Sequence, residues 1–186
     1  MSGWVLLSRK LMTMCNDTDI PLGFLITFRT YGTWLHGDER TSVDRFNNSY
    51  GSPRIPHRQG RLSYTQSIMK QPEVILDAKM RKATEDAIRE VCEHRKWILR
   101  AINVRTNHAH TVVLTGVRNP EKVLNAFKAY ATRKMRETGC WKSDRSPWVD
   151  KGSERWLWNE QSIWYACDYV INGQGDDLRD FDNWAK

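Results

Sequence analysis

Three features of the chain predict an α+β fold, an antiparallel sheet with helices on one face. Hydrophobic periods run in the order strand, helix, strand, strand, helix, strand. The two central strand-like runs are separated by only four polar residues, and the helical stretches start or stop on recognisable signals. With 186 residues the chain is one domain with a modest insertion, long enough to bury a core without staples. Its 40% hydrophobic and 27% charged residues exclude a wholly disordered chain.

Residues 1–20 show no clean period and are expected to form a tail; the domain proper is expected at 21–178, with a second tail at 179–186. Residues 23–31 are rich in β-branched and aromatic side chains, lie between Pro21 and Gly32, and read as the first strand. From about 38 to 71 no period survives, and Arg40, Arg45, Arg54, His57, Arg58 and Arg61 stand among Asn, Ser, Gly and Pro. This is an inserted loop with room for one short helical turn. Its arginines, interleaved with Phe46, Tyr50 and Tyr64, suit phosphates and unstacked bases, or simply a solvated surface.

Pro72 is read as opening the first helix, whose stripe of Leu76, Met80, Ala83, Ala87 and Val91 runs to the cations His94, Arg95 and Lys96. Strands at 97–104 and 109–115 flank Arg105-Thr106-Asn107-His108 as a hairpin. Asn119 and Pro120 are the N-cap and first residue of a second helix, which buries Leu124, Phe127, Ala131 and Met135 and stops at Gly139. Lys122, Asn125, Arg133 and Arg136 lie on its other face. A further strand is expected within 148–158. After Asn159 a last helix places Ile163, Cys167 and Val170 on one side and Tyr165, Tyr169 and Asn172 on another, until Asn172-Gly173 ends it. The βαββαβ order is that of a ferredoxin-like sandwich with one added C-terminal helix.

Twenty-nine Lys and Arg against 22 Asp and Glu give a formal charge of +7, which attracts polyanions and makes nucleic acid the first partner to consider. The cysteines, Cys15, Cys92, Cys140 and Cys167, form no CxxC pair, which excludes a zinc ribbon or dithiol motif and leaves reduced thiols. Val5-Leu6-Leu7 is broken at once by Ser8-Arg9-Lys10, too short for a signal segment or a membrane span, so a cytoplasmic protein without a membrane partner is expected.

His108-Ala109-His110 stands at a strand start, where alternation turns both imidazoles to one side and Ala109 to the other. Two neutral nitrogens converging on one point suit a first-row divalent ion able to polarise a phosphate; two ordinary polar residues at a strand end would share the spacing. Arg29 and Arg105 flank this point and are candidate phosphate contacts, as are Lys122, Lys128, Arg133 and Arg136 around the second helix. His36, at the end of the first strand, is read as a loop histidine near the same point. Of the nine tryptophans, Trp141, Trp148, Trp156, Trp158 and Trp164 crowd the last third, some to pack in the core and some to stack on bases.

The stretch Thr106-Asn107-His108-Ala109-His110-Thr111-Val112-Val113 and the later Ile163-Trp164-Tyr165-Ala166-Cys167-Asp168-Tyr169-Val170-Ile171-Asn172 resemble the paired motifs of the single-tyrosine HUH transposases of the insertion-sequence type, especially the REP-associated tyrosine transposases. The resemblance spans roughly 23–174, apart from the Arg-rich insertion. It implies a transesterase acting on single-stranded, hairpin-forming DNA, in which Mg2+ or Mn2+ is held by His108 and His110. Tyr169 would attack the phosphate to leave a 5′-phosphotyrosine linkage and a free 3′-OH. Tyr165, one turn earlier on the same face, is the alternative nucleophile. The family's third ligand, usually Gln or Asn four residues after the tyrosine, is replaced here by Gly173, which leaves Asn172 or Gln174 for that role. Family members occur as monomers and as homodimers, and both states stay open. Two other readings share the scaffold: a DNA- or RNA-binding protein without catalysis, and a metal-dependent phosphodiesterase using water in place of tyrosine.

Overall fold

The computed structural model describes residues 20–42, 54–116 and 119–175. Residues 1–19 of the N-terminal tail, the C-terminal tail, Arg45, Phe46 and Tyr50 lie outside the described residues, and Cys15 with them. The elements are β1 (Gly23–Thr30), α1 (Gln59–Ser67), α2 (Ala78–His94), β2 (Ile98–Val104), β3 (His108–Leu114), α3 (Pro120–Glu137), β4 (Trp148–Leu157) and α4 (Glu160–Asn172). All strand pairs are antiparallel and the sheet order is β2-β3-β1-β4, the predicted α+β arrangement.

Strand alternation gives the sheet two different faces. Phe24, Ile26 and Phe28 of β1, with Ala109 and Val113 of β3, pack under α2 and α3 in the main core, together with Ile88, Val91, Leu124, Phe127 and Met135. The opposite face carries a smaller core, in which Leu25, Ala101, Val112 and Leu157 meet Ile163, Ala166 and Val170 of α4. Helices α2 and α3 therefore share one face, and α4 alone covers the other.

Two boundaries depart from expectation. Helix α2 does not open at Pro72, because the backbone before it is engaged elsewhere: Val74 N–H donates to Tyr31 O (2.8 Å) and Leu76 N–H to Thr106 O (2.7 Å). This extended segment seals the end of the core, and Asp77 caps the helix by accepting from Met80 N (2.7 Å). In the insertion, α1 is nine residues rather than one turn, and it buries no side chain, so it leaves no hydrophobic period to read. Asn119 and Asn159 cap α3 and α4 as expected, and Ser162 completes a capping box at the latter. Cys92, Cys140 and Cys167 are free thiols.

Lys128 departs from its expected place on the surface. It is buried, and its ammonium donates to the carbonyls of Val149 (2.8 Å), Asp150 (3.0 Å) and Lys151 (3.3 Å). These carbonyls open β4, an edge strand, beside the irregular register near Thr30, where the lysine supplies a donor to the strand backbone. Burial lowers its pKa. Lys128→Met keeps the aliphatic stem and removes the donor; it is expected to destabilise the fold by about 1–3 kcal/mol, read from the urea midpoint at unchanged m-value.

Candidate active site

The site is assembled on the α4 face of the sheet, where β1 and β3 pair Thr27 with His110 and Arg29 with His108. The two imidazoles lie 4.6 Å apart between ring centroids. Each is held at Nδ1: His110 by the Thr27 hydroxyl (2.7 Å) and His108 by Asn107 Oδ1 (2.6 Å). The Asn107 backbone is itself fixed, its carbonyl accepting from Thr30 N (2.9 Å) and Thr30 Oγ1 (3.1 Å). Such outer partners set ring tautomer and direction.

With Nδ1 engaged by Asn107, His108 turns Nε2 to Gln174 Oε1 at 3.3 Å. The amide orientation is set from the other end, where Gln174 Nε2 donates to Tyr169 O (3.1 Å). Gln174 also reaches His110. Imidazole nitrogen and amide oxygen are both ligand types for a divalent ion, and neighbouring ligands about 2.1 Å from one octahedral ion stand about 3 Å apart, close to the 3.3 Å between His108 Nε2 and Gln174 Oε1. Burial, then the neighbouring His108, pushes His110 down to about 4, and burial lowers His108 as well, so both rings are neutral at neutral pH. Among the described residues no group of three or more His, Cys, Asp or Glu is placed to hold a metal ion.

Helix α4 brings Tyr169 onto this group. Its ring meets His110 edge-on with centroids 5.4 Å apart, and it is 46% exposed. The helix is pinned at this end by Asn103, opposite His110 on β2, whose Nδ2 donates to Val170 O (3.0 Å). Tyr165 is placed differently: it packs against Trp164, and its hydroxyl accepts from Gln161 (3.4 Å). Asn172 turns away and donates to Asp168 (2.8 Å), so of the two candidate third ligands the structure brings Gln174 to the histidines.

Of the basic residues, Arg29 and Arg105 lie close enough to act electrostatically on His108. Lys122, Arg133 and Arg136 ride on α3, across the sheet from the histidines. Arg133 is engaged by Glu90 and Glu137, and Arg136 by the carbonyls of Ser143, Asp144 and Arg145. His36 pairs with Ser42 within the insertion (2.9 Å). Trp148 is buried in the main core, whereas Trp156 and Trp158 stack on each other and stay exposed, as does Trp164. Thr27, Asn103 and Trp34 were not singled out by the sequence. The one signal available for Thr27 was its period-two spacing from Arg29, which puts both on one face of β1.

Fold and site together define an α+β protein in which a sheet-borne histidine pair faces a helix-borne tyrosine. A family described as "Transposase IS200 like" matches residues 67–160, just over half of the chain, and this chain belongs to that family of transposases. The matched stretch contains both histidines and ends before Tyr169. Among solved structures, a REP-associated tyrosine transposase bound to a REP hairpin is similar at 15% identity, over 86% of this chain and 70% of that one, with a TM-score of 0.43. A proposed transposase from Deinococcus radiodurans is similar at 12% identity over 89% of this chain and 100% of that one, also at 0.43. Among curated proteins none matches. No helix of the described residues is long and apolar enough to cross a membrane.

Proposed function

We propose that this chain cleaves and rejoins single-stranded, hairpin-forming DNA by transesterification at Tyr169. The observation that carries the reading is the meeting of the Tyr169 ring with His110 at a point where His108 and Gln174 also converge. The phenol oxygen bonds to the scissile phosphorus, the bond to the 3′ oxygen breaks, and the phenol's proton is balanced by that on the released 3′-OH. The product is a 5′-phosphotyrosine linkage, and attack by another 3′-OH reverses the exchange, so no external energy source is needed. A divalent ion, Mg2+ or Mn2+, held by His108, His110 and Gln174 would neutralise phosphate charge as a Lewis acid. Thr27 and Asn107 keep the imidazoles oriented, Asn103 holds α4 in register, and Arg29 and Arg105 contribute positive charge for the strand.

Gly173 sets the last part of this geometry. A Cβ there would stand 2.7 Å from Tyr169 O and 3.0 Å from Tyr169 Cδ2. The absence of a side chain lets residue 173 close over the tyrosine and turn Gln174 back to the histidines. Gly173→Ala is expected to slow adduct formation about ten- to a hundredfold with little change in DNA affinity, because a small displacement of a nucleophile is costly.

The test is incubation of the full chain with a pool of labelled single-stranded hairpin DNAs and Mn2+, followed by denaturing electrophoresis and peptide mass spectrometry. A DNA adduct on Tyr169 is expected. Salt-sensitive binding without an adduct across the pool would favour the binding-only reading, and cleavage without an adduct would favour water as the nucleophile.

A further inference from the structure

Arg29 occupies an unusual position beside the tyrosine. It leaves β1 opposite His108 and on the same face as Thr27, so its side chain emerges at the edge of the histidine pair. Its guanidinium lies over the Trp34 indole, Cζ 3.8 Å from the ring centroid. Trp34 is fixed in turn: Nε1 donates to Thr41 O (2.6 Å), and Arg40 Cζ stands 4.9 Å from the same ring. Arg40 is held by Asp38 and donates to Thr33 O (2.8 Å). A stacked guanidinium keeps its planar fork of N–H donors free at the edge, the shape that binds a phosphate in two-point fashion.

The electrostatics favour an anion here. Burial, then the cations Arg40 and Arg54, lower the Arg29 pKa, while the Tyr169 phenol raises it. Asp38 is engaged by Arg40, and Glu73 also acts on Arg40; among the described residues no carboxylate bears on Arg29. Arg29 keeps an exposed side, and a cation crowded by like charges is relieved when an anion binds there. The segment that builds the cluster is itself braced, with Arg58 N and His57 Nδ1 donating to Gly37 O and Thr65 donating to His36 O. Gly37 is needed there, at φ +97° and with Leu62 N only 2.6 Å from where a Cβ would sit.

We propose that Arg29, stacked on Trp34 and backed by Arg40 and Arg54, is a rigid clamp for a phosphate of the bound strand at or next to the position that Tyr169 attacks. The inference rests on the transesterification reading for the identity of that strand. Trp34 and the residues that brace it, Asp38, Arg40 and Thr41, thereby serve to aim one guanidinium.

The experiment measures equilibrium binding of a hairpin oligonucleotide selected from the pool, unmodified or carrying a single methylphosphonate at each position in turn, with adduct formation followed in parallel. Arg29→Gln is expected to weaken binding about tenfold and to lower the salt slope by about one. One methylphosphonate should weaken wild-type binding by a similar factor and leave Arg29→Gln unaffected, which identifies the clamped phosphate. Arg29→Lys should recover little, since an ammonium lacks the stacked fork. Trp34→Leu should reproduce much of the loss. Wild-type affinity and salt slope in Arg29→Gln, or equal sensitivity to neutralisation at every position, would overturn the clamp. An adduct on Tyr169 that forms at the wild-type rate in Arg29→Gln would overturn it while leaving the transesterase intact. A phosphate-specific Arg29 effect without any adduct would keep the clamp and remove the transesterase.

Discussion

Tyr169→Phe is expected to form no covalent DNA adduct, a loss on the order of 10³-fold or more, while hairpin DNA affinity stays within about twofold of wild type. The two effects separate because the ring and the hydroxyl act differently. The ring packs against His110 and remains in phenylalanine, so the face against the histidines is preserved. Only the attacking oxygen is removed. Tyr165→Phe is the matched control and should behave as wild type, since Tyr165 sits one turn back, against Trp164 and Gln161. Denaturing gels of single-turnover reactions measure the first effect and filter binding the second. An adduct in Tyr169→Phe that maps to Tyr165 would transfer the nucleophile by one turn.

His110→Ala is expected to lower Mn2+ affinity and metal-dependent cleavage at least about a hundredfold. Loss of an orienting partner alone costs about ten- to a hundredfold, and this substitution removes a donor together with its orientation. Thr27→Val, which deletes only the hydroxyl on His110 Nδ1, should fall in that lower range. Calorimetric Mn2+ titration of the DNA-free protein reads metal affinity without any dependence on catalysis. Unchanged Mn2+ affinity in His110→Ala would remove the histidine pair from the metal site. His110 is neutral at neutral pH, since burial, then the neighbouring His108, hold it near 4, so mild acidification does not imitate the substitution.

The parts of this arrangement that sequence could foretell are those whose cause is local. Asn119-Pro120 and Asn159 announce helix starts because a cap acts within three residues, and the period of two in His108-Ala109-His110 sets the facing of both rings. What escaped depends on partners far along the chain. Pro72 is compatible with a helix start until Tyr31 and Thr106 take the N–H groups that follow it. Lys128 has the same local pattern as a solvated lysine, and only the approach of β4 turns it inward. The choice of Gln174 over Asn172 follows from where α4 stops: one residue past the helix the chain turns back, so the nearer amide points to Asp168 and the farther one reaches the histidines. Trp34 becomes a support for Arg29 only when Arg40 and Thr41 come back against its ring.

The alternation that splits β1 and β3 between two faces also governs how this protein can fail. Phe24, Ile26 and Phe28 interleave with Leu25, Thr27 and Arg29, and Ala109 separates the histidines. A slip of one residue in the β1–β3 pairing would turn one strand over relative to the other: either Thr27 and Arg29 would pass under α2 and α3 while the phenylalanines turned to the α4 side, or both imidazoles would leave Thr27 and Arg29 behind. The hydrophobic pattern that secures the core thus acts as proofreading for the chemistry, and a chain that folds at all delivers its histidines to the right side.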